Sequence, residues 1–284
     1  MKEIPAFNNL AREELLEQMI DKALPIVKGG IKESDFNYDN TPEDIEYVKK
    51  MKKVFSDEAN FEKDNNPDAY FVRILAKVFE ALVIDQIAKS EWFGQNTEIM
   101  KASDFDDIVN KVDAIVGVET GPGSASHIAL AVDITTQTTS QKKFDQIVSE
   151  IKRGELTKVK YFISNILHFK GEMKNIPRVV IGADKKTILD AVDKWIDDND
   201  PANKEALKEH ILQAIILEEI RIQLEKFADF ALSVGQAKVS AIYTKTLGQI
   251  KEIIKNNSFT NIDLADVSND LVFSSIQHKV EHLK

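Results

Sequence analysis

Cysteine is absent from this chain of 284 residues, and its absence excludes several kinds of chemistry. A chain without thiols forms no disulfides, offers no thiolate to a metal ion and has no cysteine nucleophile. Long apolar runs are missing too, because no window approaches the roughly 18 consecutive apolar residues of a membrane-spanning helix. The opening stretch, MKEIPAFNNLAREELLEQM, lacks the basic start and apolar run of a signal peptide. The sequence therefore predicts a soluble, cytoplasmic protein.

Positive charge is also scarce. The formal net charge is −10, which argues against a surface that is coated for nucleic-acid binding. Residues 138–190 are the exception, because they hold eleven Lys or Arg residues against six Asp or Glu residues. Two interpretations are open for this segment: a solvated lysine-rich face, or a local strip that binds phosphate groups.

The spacing of apolar residues divides the chain into three segments. Residues 1–66 and 191–284 have helical spacing, whereas residues 67–190 also contain predicted strands. Within the central segment a helix runs from about Pro67 to Lys89, and the β-branched runs VDAIVGV and IALAVDI predict two adjacent antiparallel strands. A further helix is predicted at 140–153, and further strands at 159–163 and 179–181. We therefore expect an α+β fold, with a small mixed β-sheet core flanked by helices and with helical N- and C-terminal extensions.

Two aspartates stand in these apolar strands. Asp113 lies within the first predicted strand, and Asp133 lies at the end of the second. A charged residue in an apolar strand is costly unless it is paired, hydrogen-bonded or bound to a metal. Two carboxylates that converge at one sheet end repel each other unless a cation lies between them. Carboxylate oxygens without His or Cys neighbours favour Mg²⁺ or Mn²⁺, although a purely structural network of paired acids is the alternative.

Four stretches of the chain resemble the PD-(D/E)XK nuclease superfamily: FEALVIDQIAK, SDFDDIVNKVDAIV, LAVDITTQ and KKFDQIVSEIKRG. Together they give an acidic helix, a strand aspartate, a second strand acid about twenty residues later, and then a helix and a strand. The resemblance covers about residues 70–185. It implies a restriction-endonuclease-like core that hydrolyses phosphodiester bonds in DNA or RNA, with DNA favoured, and that uses Mg²⁺ or Mn²⁺.

The resemblance also implies roles for single residues. Asp113 and Asp133 correspond to the two strand acids and would ligate the metal ion. Glu80 corresponds to the acid of the preceding helix. Asp85 is its rival, because a helical wheel puts Asp85 on the apolar stripe and Glu80 opposite it.

The motif lysine is the main departure from the family pattern, because Thr135 stands two residues after Asp133. Lys142 and Lys143 on the following helix are candidates to replace it. We prefer Lys143, which lies nearer the apolar face of that helix and would orient the attacking water. Asp106 and Asp107 either line the same pocket or cap a turn.

Two other classes of function compete with a nuclease. The string ETGPGSAS, from Glu119, resembles the glycine-rich first motif of S-adenosylmethionine-dependent methyltransferases. Only nine residues separate Gly123 from Asp133, however, which is too few for the helix and strand that such a fold requires. The second competitor is a non-catalytic helical interaction or structural protein with a degenerate nuclease-like core. The long apolar helices after residue 202 would then form a homodimer, or would pack internally.

Overall fold

Helices enclose a small β-sheet, which confirms the predicted α+β class. The computed structural model describes residues 9–121, 124–133, 139–257 and 264–283; within these ranges the side chains of residues 9–13, 120, 129–133, 139–140 and 264–265 are left out. The helices are α1 (Asn9–Lys28), α2 (Thr41–Asn65), α3 (Pro67–Lys89), α4 (Thr139–Lys152), α5 (Lys185–Ile196), α6 (Pro201–Lys208), α7 (Ile211–Ser233), α8 (Ala237–Asn256), α9 (Leu264–Ser268) and α10 (Leu271–Glu281). The strands are β1 (Thr97–Lys101), β2 (Ala114–Gly121), β3 (Ser124–Asp133), β4 (Thr157–Ser164), β5 (Phe169–Ile176) and β6 (Arg178–Gly182).

The central sheet has the strand order β1-β2-β3-β6. The first three strands are antiparallel neighbours, and β6 runs parallel to β3. Helix α4 and a separate two-stranded sheet, β4-β5, lie between β3 and β6 in the sequence. The β4-β5 pair packs over one face of the central sheet through a small apolar cluster that includes Ile115, Val159 and Phe162.

Helix α3 begins and ends where its sequence predicts. The side chain of Asn66 accepts a hydrogen bond from the backbone N–H of Ala69 at 3.2 Å, and Pro67 occupies the first turn, where its missing N–H costs nothing. All residues from Val78 to Ile87 are buried, so the middle of the helix is enclosed on every side. Polar side chains in this stretch must therefore find partners inside the protein.

Side chains of helix α7 form hydrogen bonds with the free edge of β6. The side-chain amide of Gln223 accepts a hydrogen bond from Val180 N at 2.8 Å and donates one to Val180 O at 2.6 Å. One turn earlier, Oε2 of Glu219 accepts a hydrogen bond from Gly182 N at 2.8 Å. These side chains replace the strand partner that an edge strand lacks, and they fix the position of β6 beside β3.

The main hydrophobic core draws buried residues from all parts of the chain, from Met19 in α1 to Val280 in α10. The apolar faces of α7 and α8 contribute to this core, so these faces pack internally. Among the described helices, none combines the length and apolar character that crossing a membrane would demand.

Candidate metal centre

The two predicted strand aspartates lie at the same end of the sheet. Because β2 and β3 are antiparallel, with Ala114 opposite Leu130, the start of β2 and the end of β3 are neighbours. Asp113 immediately precedes β2 rather than lying within it, and Asp133 ends β3 opposite Gly182 of β6. The side chain of Asp133 is outside the described part of the chain, so only the backbone positions of the two aspartates are compared.

Of the two rival helix acids, Glu80 is the one that lies close to Asp113. Oε1 of Glu80 is 2.8 Å from Nζ of Lys101, and the negative charge of Asp113 acts on the Glu80 carboxyl group. Asp85 is occupied elsewhere, because its Oδ2 accepts a hydrogen bond from Nε1 of Trp195 at 2.8 Å. The helical wheel misjudged Glu80 because the enclosed middle of α3 has no solvent-facing side.

A lysine holds the acids at this sheet end together. Lys101 is the last residue of β1, and its side chain is only 5% exposed. Its ammonium group donates hydrogen bonds to Oδ2 of Asp107 at 3.1 Å and to the backbone oxygen of Asp113 at 3.2 Å, in addition to its contact with Glu80. We call Glu80, Lys101, Asp107 and Asp113 the acidic cluster.

Burial and mutual repulsion perturb the ionisation of these groups. Burial raises the pKa of Glu80 to about 7, and Asp113 and Asp107 add to this rise although Lys101 opposes it. The pKa of Asp107 is raised by burial and by Asp113. Burial by itself would lower the pKa of Lys101, but the charges of Asp107, Glu80 and Asp113 outweigh it and raise the pKa. The Lys101 side chain therefore remains an ammonium ion at neutral pH.

More than one positive group acts on the three carboxyl groups. Nζ of Lys101 lies 2.8 Å from Oε1 of Glu80 and also contacts Asp107, and the positive charge of Arg178 interacts with the charge of Asp113. The raised pKa values of Glu80 and Asp107 also favour the neutral forms of these two acids.

The chemistry of the donor set fits a hard divalent cation, because every candidate ligand is a carboxylate or carbonyl oxygen. The distances are those of an ammonium site, since Mg²⁺ holds its oxygen ligands at about 2.0–2.1 Å. Across the described ranges, no three acidic or histidine side chains are arranged to hold a metal ion. The donor atoms therefore match a hard divalent ion in kind, but the described side chains as arranged do not form a site for one.

Asp106 has a structural role, which was the alternative that its sequence position left open. The side chain is fully buried, and its Oδ1 accepts hydrogen bonds from Lys160 N at 2.8 Å and from Asn110 Nδ2 at 2.6 Å. Its Oδ2 accepts hydrogen bonds from Tyr161 N at 3.0 Å and from Ser103 Oγ at 2.7 Å. Asp106 thus ties the π-helical turn Asp106–Asn110 to β4, whereas its neighbour Asp107 belongs to the acidic cluster.

Sequence reasoning did not identify Lys101. The pentapeptide TEIMK is short and lacks a clear apolar alternation, so no strand was predicted there. The sequence did contain one signal, because Lys101 directly follows the apolar residues Ile99 and Met100. A lysine at the end of a buried strand needs a charged partner inside the protein. Of the predicted lysines, Lys143 is half-buried in the first turns of α4 and Lys142 beside it is exposed. Thr135 lies outside the described residues.

Some basic residues of the lysine-rich segment at 138–190 are engaged within the protein. Arg178 is buried and donates hydrogen bonds to Asn110 O at 2.6 Å and to Glu150 Oε1 at 3.0 Å. Lys160 forms an ion pair with Asp44. The exposed basic residues are distributed over α4, the β4-β5 pair and the start of α5. The interpretation as a phosphate-binding strip therefore stays a prediction, and only the exposed basic residues could contribute to it.

The glycine-rich stretch that resembled a methyltransferase motif connects β2 to β3. Gly121 pairs with Ser124 across the hairpin, and every residue from Ser124 to Asp133 is in strand β3. No helix lies between the hairpin connection and Asp133, as the nine-residue spacing predicted. Comparisons with protein-family models, with curated proteins and with solved structures gave no match for the chain.

Proposed function

We propose that the protein is a PD-(D/E)XK-like phosphodiesterase that depends on Mg²⁺ or Mn²⁺ and cleaves nucleic acid, with DNA preferred to RNA. The observation that carries the proposal is the acidic cluster at the sheet end where Asp113 and Asp133 stand. Buried carboxyl groups with perturbed pKa values are enriched at functional sites, although structural networks also contain them.

The order of elements supports the proposal. A helix that carries an acid, α3, precedes three antiparallel strands, and α4 then precedes β6, which is parallel to β3. A small mixed sheet between helices supports the restriction-endonuclease-like fold that we propose from the sequence resemblance. In that fold the β4-β5 pair would be an insertion between α4 and β6.

Each residue has a distinct proposed role. Asp113 and Asp133 ligate the metal ion, and Glu80 assists from α3. Lys143 orients the attacking water and offsets charge on the phosphate group. A bound divalent ion would supply an activated water and electrostatic stabilisation of the phosphate in flight.

The direct test is cleavage of plasmid DNA, single-stranded DNA and RNA in the presence of Mg²⁺ or Mn²⁺. Asp113→Asn and Asp133→Asn should each lower the cleavage rate by about 100-fold or more, because each removes a charged ligand from the reacting centre. Asp229→Asn is the matched control, since Asp229 is exposed on α7 and far from the sheet end in sequence. Its cleavage rate should equal that of the wild type.

Two results would reject the proposal: absence of metal-dependent cleavage on all three substrates, together with absence of Mn²⁺ binding by calorimetry. Concentration-dependent self-association without either activity would instead favour the non-catalytic interaction protein. Tight binding of S-adenosylmethionine would favour the methyltransferase.

A further inference from the structure

Helix α2 has 25 residues, yet only Thr41 and Val48 are buried along its length. Among the described residues, ten large apolar side chains are exposed, and five of them belong to this one helix: Ile45, Tyr47, Val54, Phe55 and Phe61. A single exposed apolar side chain needs no explanation, but several on one face of a helix indicate a contact surface.

Three of these side chains form a line along α2. Tyr47, Val54 and Phe61 follow one another at intervals of seven residues, which returns each of them to nearly the same side of the helix. They are 45%, 41% and 68% exposed, and we call them the apolar stripe. Ile45 and Phe55 lie off this line. A seven-residue interval is the repeat by which two helices pack side by side in a coiled coil.

Other sides of α2 are held by the rest of the protein. Asp44 and Lys52 form ion pairs with residues outside the helix. Oε2 of Glu62 accepts a hydrogen bond from Nε of Arg73 on α3 at 2.7 Å. Because these contacts are distributed along the helix, they fix its orientation, and the apolar stripe is a preformed surface.

We propose that the apolar stripe binds a second copy of this chain, as an antiparallel pair of α2 helices with a two-fold axis near Val54. The stripe is symmetric about that residue, because Tyr47 and Phe61 stand seven residues before and after it. In the pair, Val54 faces its own counterpart, and each Tyr47 faces the Phe61 of the other copy. A surface that matches itself in this way is what a two-fold dimer requires. The inference does not depend on the proposed function.

The charges beside the apolar stripe favour the antiparallel direction. Lys50 lies four residues before Val54, and Asp57 lies three residues after it on the same flank. Both side chains are exposed, and neither has an ion-pair partner within the part of the chain that the structure describes. Antiparallel packing brings each Lys50 beside the Asp57 of the other copy. Parallel packing would instead bring like charges together.

Two more acids border the stripe, and neither meets an acid in this arrangement. Glu43 lies beside the neutral Asn65 of the other copy, because both residues are eleven positions from Val54. Glu58 lies on the opposite flank from Asp57. There Nη2 of Arg73 is 3.5 Å from its Oε2 and supplies a compensating positive charge.

The outer margins of the pair limit its affinity. Glu46, Lys53 and Asp64 are exposed further around the helix. In the pair, Glu46 approaches Asp64 of the other copy and the two Lys53 side chains approach each other, although water and salt screen these repulsions. One helix pair is also smaller than the roughly 1,200 Å² of stable complexes, so we expect a dissociation constant of about 1–100 μM.

The first test is sedimentation velocity of the full chain at concentrations that span this dissociation constant. Val54→Glu places two carboxylates against each other at the two-fold axis, so it should weaken association at least about tenfold. Leu232→Glu is the matched control, because Leu232 is a 63% exposed apolar residue of α7. Its association should equal that of the wild type. Both side chains are exposed, so the circular dichroism spectra should also equal that of the wild type.

The second test exchanges the charges that set the direction. Lys50→Asp and Asp57→Lys each replace attraction by repulsion at two symmetric places, so each should weaken association about tenfold at low salt. The double variant restores opposite charges, and its dissociation constant should return to within about threefold of the wild-type value.

The third test uses the absence of cysteine, which allows single cysteines to be introduced. Val54→Cys should form an intermolecular disulfide on mild oxidation, because the two copies of residue 54 face each other. Tyr47→Cys should not, because its counterpart lies 14 residues, or about 21 Å, away along the other helix.

The outcomes separate the surface from the direction of pairing. A chain that stays monomeric, or that associates equally well as Val54→Glu, refutes the apolar stripe as the contact surface. So does an equal loss of association in Leu232→Glu. Equal cross-linking of Tyr47→Cys and Val54→Cys, or a double charge variant that stays as weak as the single ones, refutes the antiparallel pair.

Discussion

The neighbouring residues Asp106 and Asp107 should respond in opposite ways to mutation. Asp106→Ala removes the acceptor of four hydrogen bonds in the interior. The backbone N–H groups of Lys160 and Tyr161 then lose their partner in the middle of β4. An unsatisfied buried donor costs about 1–3 kcal/mol, so these two donors alone predict a loss of about 2–6 kcal/mol in the free energy of unfolding.

Part of this loss is regained. Burial raises the pKa of Asp106, which means that its ionised form is disfavoured in the fold, and the alanine variant no longer carries that cost. The expected net loss therefore lies in the lower half of the range, at about 2–4 kcal/mol.

Asp107→Ala removes a partly exposed carboxyl group whose neighbours include another acid, Asp113. The loss of the contact with Lys101 and the relief of repulsion oppose each other, so stability should change by less than about 1 kcal/mol. Under the proposed function, affinity for Mn²⁺ should fall instead, because the acidic cluster loses a carboxyl group that attracts the ion.

Urea denaturation followed by circular dichroism gives the free energy of unfolding, and calorimetry gives the affinity for Mn²⁺. Both variants are measured by both methods, so each serves as the control for the other. A large loss of stability in Asp107→Ala, with a small one in Asp106→Ala, would refute the division between a structural and a cluster aspartate. Unchanged Mn²⁺ affinity in Asp107→Ala would remove Asp107 from the cation site.

Three further predictions concern the acids of α3 and the side chains of α7 that bind the edge of β6. Burial raises the pKa of Glu219 well above its ordinary value, so the folded state holds this proton at pH values where the unfolded chain has released it. The contribution of Glu219 to wild-type stability should therefore fall as pH rises above about 4.5. In urea titrations, the free energy of unfolding of Glu219→Gln minus that of the wild type should be larger at pH 8 than at pH 5, and an equal or smaller difference at pH 8 would contradict this. Gln223→Leu leaves the N–H and C=O groups of Val180 without these hydrogen-bond partners, so it should lower the free energy of unfolding in urea by about 2–6 kcal/mol. A loss below about 1 kcal/mol would show that these hydrogen bonds to β6 are dispensable. Glu80→Gln should lower the cleavage rate by about tenfold or more with little loss of stability. Asp85→Asn should mainly lower stability, because Asp85 accepts a hydrogen bond from Trp195. The reverse pattern would make Asp85 the acid that α3 contributes to the site.

The elements that could be predicted are those whose local pattern and tertiary environment agree. Helix α3 was predicted with its observed bounds, because an Asn-Pro start and a long apolar stripe give the same answer. Strands β2 and β3 were predicted from their β-branched runs and the turn-forming residues between them. Strands β1 and β5 were missed for different reasons. Strand β1 has only five residues, and β5 (FKGEMKNI) is mostly exposed and polar. Neither sequence therefore shows the clear alternation of apolar and polar residues that predicts a strand.

The site was partly predictable, and its limits follow from the same physics. Asp113 and Asp133 were predicted as site residues because charge in an apolar strand is conspicuous, and their place at one sheet end agrees with the predicted pairing of the two strands. The orientation of Glu80 was not decided by the helical wheel, because a wheel assumes one solvent-facing side and the middle of α3 has none. Asp106 and Asp107 looked equivalent in the sequence, because a distant strand distinguishes them. The backbone of β4 donates two hydrogen bonds to Asp106, whereas Asp107 faces the acidic cluster.

The absence of the motif lysine at Thr135 is a weaker objection to a working site than the sequence suggests. A motif is counted along one strand, but a sheet assembles its site across strands that lie about 4.8 Å apart. Lys101 on β1 is paired in register with Ala114, the residue after Asp113, and its ammonium group already contacts the backbone of Asp113. A lysine on the neighbouring strand can therefore deliver its charge to the same sheet end as a lysine on β3. A site of this kind needs a positive charge at one place in space. A lysine two residues after the acid on β3 is only one of the ways to supply that charge.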